Sequence, residues 1–95
     1  MSPTPKYVLT LYVAIIDETT EQQISQLRDA LAECFGSISW VLNLVEVMEM
    51  PEKAIVNDIF ATPTLVRESP KPEIKVLSGL NAIPQMLNVI SQVGP

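Results

Sequence analysis

Two hydrophobic rhythms alternate along the chain. Tyr7 to Ala14 is almost entirely apolar and rich in Val, Leu and Tyr, which predicts a strand covered on both faces. Asp17 to Gln23 is polar, and Thr20-x-x-Gln23 fits a helix capping box. Ile24, Leu27, Leu31 and Cys34/Phe35 then recur at three- and four-residue steps, the buried stripe of an amphipathic helix. Gly36 follows where a left-handed helix end favours glycine. Ile38 to Val47 returns to strand character, with Ile38, Trp40, Leu42 and Leu44 on one face. Ser39, Val41, Asn43, Val45 and Val47 lie on the other, where Asn43 needs water or a partner.

Pro51-Glu52 opens a short helix, with Ala54, Ile55 and Ile59 as its expected inner face. Ala61-Thr62-Pro63-Thr64-Leu65-Val66 starts a third strand, since a proline lacking its N–H is tolerated at a strand's first position. Ser69-Pro70-Lys71-Pro72 reads as a loop, and Ile74 to Leu77 as the returning strand. Asn81 is the expected cap of a last helix with Pro84 in its first turn and Ile83, Met86/Leu87, Ile90 and Val93 on its apolar face.

This order predicts an α/β fold. A strand–helix–strand unit of this length gives parallel strands with a right-handed crossover, and the close final pair gives an antiparallel hairpin. The arrangement βαβαββα with a mixed central sheet matches the thioredoxin-like domain, which places Pro63 as a structural cis-proline before the third strand. With 95 residues and no linker or repeat, residues 1–95 are expected to form a single domain.

Composition narrows the chemistry. Six basic against eleven acidic residues leave net −5, which argues against nucleic-acid or anionic-membrane partners. No histidine is present, so histidine-based catalysis and metal ligation are excluded. The run from Tyr7 to Ile16 is too short to span a bilayer and no cleavage site follows it. With Cys34 as the one cysteine, a cytoplasmic protein is expected.

Thiol exchange in this fold needs a thiolate at the start of the first helix. The segment there, Ile16-Asp17-Glu18-Thr19-Thr20-Glu21, has none, and Cys34 falls at the opposite end, where it is expected as a small buried hydrophobe. Asp17, Glu18 and Glu21 read as a solvated acidic helix start rather than a cation site. Glu46 and Glu49 read as surface charges, and Trp40 as core or sheet face rather than a stacking platform. The three isolated glycines form no phosphate loop. No catalytic residue, cofactor or metal is expected; elimination leaves a non-enzymatic binding module.

Tyr7-Val8-Leu9-Thr10-Leu11-Tyr12-Val13-Ala14 and Ala61-Thr62-Pro63-Thr64-Leu65-Val66 resemble blocks of the KaiB family of cyanobacterial circadian clock proteins. Val45 to Glu52, the Pro70-x-Pro72 loop and Lys75-Val76-Leu77 fit as well. The resemblance implies a protein that binds the ATPase ring of KaiC, sequesters KaiA and displaces the kinase SasA. It also implies metamorphic behaviour, a thioredoxin-like monomer alternating with a tetrameric ground state of different C-terminal fold, so a homo-oligomer stays open.

Against the family pattern, Gln23, Asn43 and Asp58 stand where clock members typically carry Arg, Lys and Lys, and Ile15-Ile16-Asp17-Glu18 replaces a Gly-Asn-Thr-Pro-like turn. These three positions are the expected partner-binding residues, and their altered charge predicts weak binding to a standard clock KaiC. Leu77-Ser78-Gly79-Leu80 resembles the SasA sensor domain. The leading expectation is a divergent KaiB-like regulator of a KaiC-family ATPase. The alternatives are a SasA-type sensor module in a two-component pathway and, disfavoured, a thiol oxidoreductase.

Overall fold

The computed structural model describes residues 5–77, 80 and 82–92. The elements are β1 (Tyr7–Val13), α1 (Glu18–Phe35), β2 (Trp40–Glu46), α2 (Pro51–Val56), β3 (Thr64–Ser69), β4 (Ile74–Leu77) and α3 (Ile83–Ile90). The sheet order is β2-β1-β3-β4. β1 runs parallel to β2 from Tyr7↔Trp40 to Val13↔Glu46, and antiparallel to β3 through Leu11↔Leu65. β3 and β4 close the antiparallel hairpin. This is a mixed four-stranded sheet in the thioredoxin-like order.

β1 is apolar but for Thr10 because it lies inside the sheet, between β2 and β3. Tyr7, Leu9, Leu11 and Val13 point into the main core with Ile24, Leu27, Leu31 and Phe35 of α1 and Met86 and Ile90 of α3. Each fully buried leucine here contributes about 1.5–3 kcal/mol of transfer free energy. On the other face Tyr12, Val45 and Val66 form a small second cluster, with Val47, Met50 and Ile59 packed against it. Beyond these residues the six-residue α2 lies beside that face, and a groove stays open between the two.

Several local expectations change. Asp17, not Thr20, caps α1: its extended backbone lets Oδ1 accept the Thr20 N–H at 2.8 Å, while Thr20 already lies inside the helix. Gly36 adopts φ +58°, a conformation for which a side chain would be strained. Ile38 is 40% exposed and outside β2, because its N–H closes a turn onto the Phe35 carbonyl. Cys34 is exposed, one position off the buried stripe that ends in Phe35.

On α2 only Ala54 is buried; Ile55 sits roughly 100° around the helix from it and faces solvent. The helix ends in a Schellman motif. Ile59 N–H donates to the Ala54 carbonyl at 2.8 Å, Asp58 N–H to Ile55 at 3.2 Å, and Asp58 takes φ +56°. This turn brings Ile59 back toward the second cluster.

Pro84 lies in the first turn of α3, and Ala82 occupies the N-cap position without a side-chain bond. Asn81, Ser78, Gly79 and Val93 lie outside the described residues. The Thr62–Pro63, Ser69–Pro70 and Lys71–Pro72 bonds are cis. No helix among the described residues is long and apolar enough to cross a membrane.

Candidate partner-binding surface

Among the described residues, each of the three sequence-selected residues lines a cleft of its own. Gln23 of α1 lines a cleft of about 480 Å³ with Ala14, Ile15, Thr20, Thr62 and Pro63. This is the end of the sheet where helix α1 begins. Ile15 leaves 57% of its surface exposed at the rim. Thr20, whose amide is taken by Asp17, lines the same cleft.

Asn43 lies on the other face of the sheet. It is exposed and lines a groove of about 520 Å³ with Thr10, Tyr12, Glu68 and, from α2, Glu52 and Lys53. The strand alternation that turns Leu42 into the main core turns Asn43 outward beside Thr10, its register partner on β1. Thr10 Oγ1 donates to Glu68 Oε1 at 2.7 Å across the β1–β3 pair. The Tyr12 hydroxyl is pushed above the usual phenol range by burial first, then by the negative charges of Glu68 and Glu73.

Asp58 lines a third, smaller cleft of about 170 Å³ with Phe60, Ala61, Lys75 and Leu77. Lys75 Nζ donates to the Asn57 carbonyl at 2.8 Å and pairs loosely with Glu73 at 3.9 Å. Gln23, Asn43 and Asp58 thus line different clefts, the last two adjoining where Asn57 of the Asn43 groove accepts from Lys75 of the Asp58 cleft, and Asp58 carries a backbone role besides its charge.

The carboxylates have specific duties. Glu46 is half-buried and its Oε2 accepts the Ile16 N–H at 2.6 Å, tying the end of β2 to the loop before α1, so it is not a mere surface charge. Asp17 is held below the usual aspartate range, chiefly by the Thr20 backbone amide. Among the described residues no group of three acidic or thiol side chains is arranged to hold a metal. Trp40 packs at the core edge, its ring 6.4 Å from that of Phe35, which stacks in turn on Tyr7 at 4.3 Å.

Two features were not singled out from the sequence. One is Arg67, fully buried in β3. Its guanidinium donates to the carbonyls of Ile90 at 2.9 Å, Pro72 at 3.1 Å and Gln92. Its one sequence signal is a charge closing the run Thr64-Leu65-Val66-Arg67. The other is a set of exposed apolar side chains on and around α2: Met48 is 71% exposed, Ile55 75%, Val56 77% and Phe60 92%. Phe60 shares its cleft with Leu77, itself 65% exposed.

Comparison with known proteins fits this architecture. The N-terminal domain of Synechococcus elongatus SasA superimposes with a TM-score of 0.74 at 20% identity, covering 100% of this chain and 93% of that domain. Oxidised thioredoxin from Plasmodium falciparum gives a TM-score of 0.65 at 14% identity, covering 93% of this chain and 84% of the thioredoxin. In sequence, the circadian clock oscillator protein KaiB of Prochlorococcus marinus is 33% identical over 81 residues, 85% of this chain and 67% of that protein. KaiB of Trichodesmium erythraeum is 34% identical over 82 residues, 85% of this chain and 78% of its own length. The KaiB domain pattern itself matches residues 10–93, from β1 through α3, and by that match together with these relatives the chain belongs to the KaiB family.

Proposed function

We propose that this chain is a non-enzymatic KaiB-like protein-binding module that docks on a KaiC-type ATPase in a circadian or related signalling system. The observation that carries the reading is the exposed apolar set Met48, Ile55, Val56 and Phe60 around α2. A Phe left 92% exposed loses most of the transfer free energy its burial would bring, and such side chains supply the desolvated centre of a protein interface. The cysteine-free start of α1 supports binding over thiol exchange, since the dipole end that activates a thiolate there is occupied by Asp17, Glu18 and Glu21.

The test is calorimetric titration against KaiC homologues from the same source, with Val56→Ser and Phe60→Ser as paired variants. Binding weakened about tenfold or more by either variant, at unchanged folding stability, is expected. Binding that ignores both variants, or none at micromolar concentration, sinks the reading. The likeness in fold to the SasA domain supports a second reading, a sensor module in a two-component pathway. Co-purification with a histidine kinase in place of a KaiC-type ATPase separates the two.

A further inference from the structure

Between the open face of the sheet and α2 lies the groove of about 520 Å³ that holds Asn43. Its lining is rich in hydrogen-bond acceptors. Glu68 uses one carboxylate oxygen for Thr10, leaving the other unengaged among the described residues. Glu52 projects from α2 on the opposite wall, and the Asn43 amide adds a further oxygen. Tyr12 is 97% buried by its 3% residual exposure, its ring held among Val45 and Val66, yet it lines this groove. Its hydroxyl takes no hydrogen-bond partner among the described residues. The hydroxyl oxygen keeps an opening to the groove and is available to an incoming donor. Among the described residues Lys53 is the one cation of the lining, against Glu52 and Glu68, with Glu73 close enough to act on Tyr12.

We infer that this groove receives an arginine side chain of a protein partner, its guanidinium held by Glu68, Glu52, Asn43 and the Tyr12 hydroxyl. This rests on the protein-binding reading above and names the chemistry of the partner there. A guanidinium offers five donors in a planar fork and no acceptor, which suits a site of spread carboxylate and neutral oxygen acceptors. An ammonium concentrates three donors at one point and leaves more of these acceptors unfilled. The apolar stem has Val45 and Val56 to run along. The source is a protein because Ile55 and Val56 stand exposed on α2 beside the groove, apolar surface that a free guanidine would leave wet. The net charge of −5 favours approach of a basic partner.

The test titrates the isotope-labelled protein with the peptide acetyl-Gly-Val-Arg-Val-Gly-amide, followed by amide chemical shifts. Its citrulline isostere is the uncharged control, and N-acetyl-arginine amide the free-guanidine control. Saturable shifts centred on Thr10, Tyr12, Asn43, Lys53 and Glu68 are expected. They should weaken about tenfold with citrulline, with Glu68→Gln, and with Glu52→Gln on the solvent-facing wall. Glu68→Gln keeps an acceptor for Thr10, and Glu52→Gln guards against a folding artefact. Citrulline binding as well as arginine overturns the proposal. So do shifts centred on Asp17, Glu18 and Glu21, or no saturation by about 10 mM. Equal affinity for N-acetyl-arginine amide and the peptide overturns the assignment to a protein side chain. If a KaiC homologue binds while the groove rejects the peptide, this inference fails alone. If the peptide binds and no KaiC homologue does, the proposed docking on a KaiC-type ATPase fails alone.

Discussion

The guanidinium of Arg67 in β3 donates at 2.9 Å to the carbonyl of Ile90, the last residue of α3. The same Nη1 also reaches Gln92, and Nη2 reaches Pro72 in the β3–β4 loop. A buried cation without a carboxylate among its partners is held here by main-chain carbonyls, including those left unpaired where a helix ends. The negative end of the α3 dipole meets the positive charge. One side chain thus fastens the C-terminal helix and the hairpin loop to a central strand.

Arg67→Met is expected to destabilise the fold by about 2–4 kcal/mol, because it removes charge-assisted bonds and leaves buried carbonyls unpaired. Arg67→Lys should recover only part of this, since an ammonium cannot span the three acceptors as the fork does. Urea denaturation reads the loss. Hydrogen exchange should show α3 amides opening first, while the β1 amides keep their protection. Equal loss of protection in α3 and β1 would contradict the local fastening.

The order of elements and the two-sided character of β1 were legible because they depend on periodicity, which burial enforces along a whole element. Leu27 and Leu31 had to face inward whatever the details. What the pattern did not carry depends on single bonds between distant residues. Nothing in the neighbourhood of Arg67 points to Ile90, 23 positions away. Ile55 looked like core because apolarity and burial usually coincide, and a six-residue helix has room to bury only Ala54. Asp17 and Thr20 are both capping residue types, and only the backbone shows which one stands outside the helix. The family resemblance placed Gln23, Asn43 and Asp58 as a charge set; the fold distributes them over three clefts.

Glu46 and Ile16 give the second prediction. The 2.6 Å bond from the Ile16 amide satisfies the backbone just before α1 and holds the rim of the Gln23 cleft. Glu46→Ala is expected to cost about 1–2 kcal/mol, and Glu46→Gln less because it retains an acceptor. Amide exchange at Ile16 should accelerate in the alanine variant only. Unchanged exchange there would show that the bond does not hold the loop.

Acidification tests the cap of α1. The Asp17 carboxyl is held below its ordinary value of 3.8 by the Thr20 amide. A carboxylate whose folded pKa is depressed adds stability that is fully present above the unfolded value and fades as pH falls through the folded one. The contribution therefore persists at neutral pH and is lost below about pH 4. Asp17→Asn retains a capping oxygen but no titrating group, so its unfolding midpoint should fall less than the parent's over that window. Identical acid profiles would remove Asp17 as a contributor.

Asp58 separates backbone geometry from charge. It occupies the left-handed position of the Schellman turn with φ +56°, where residues with a Cβ are penalised and Asp and Asn are among the better tolerated. Asp58→Gly should leave stability unchanged or raise it by up to about 1 kcal/mol, while Asp58→Val should lower it by about 1–2 kcal/mol. Asp58→Asn keeps the tolerance and removes the charge, so it alone reports on electrostatics. If Asp58→Asn alters affinity for a KaiC-type partner at unchanged stability, the charge at this turn reaches the interface. If Asp58→Val and Asp58→Asn are equally stable, the turn does not depend on its left-handed residue. Thermal unfolding of the three variants side by side decides the backbone question, and titration of Asp58→Asn decides the charge.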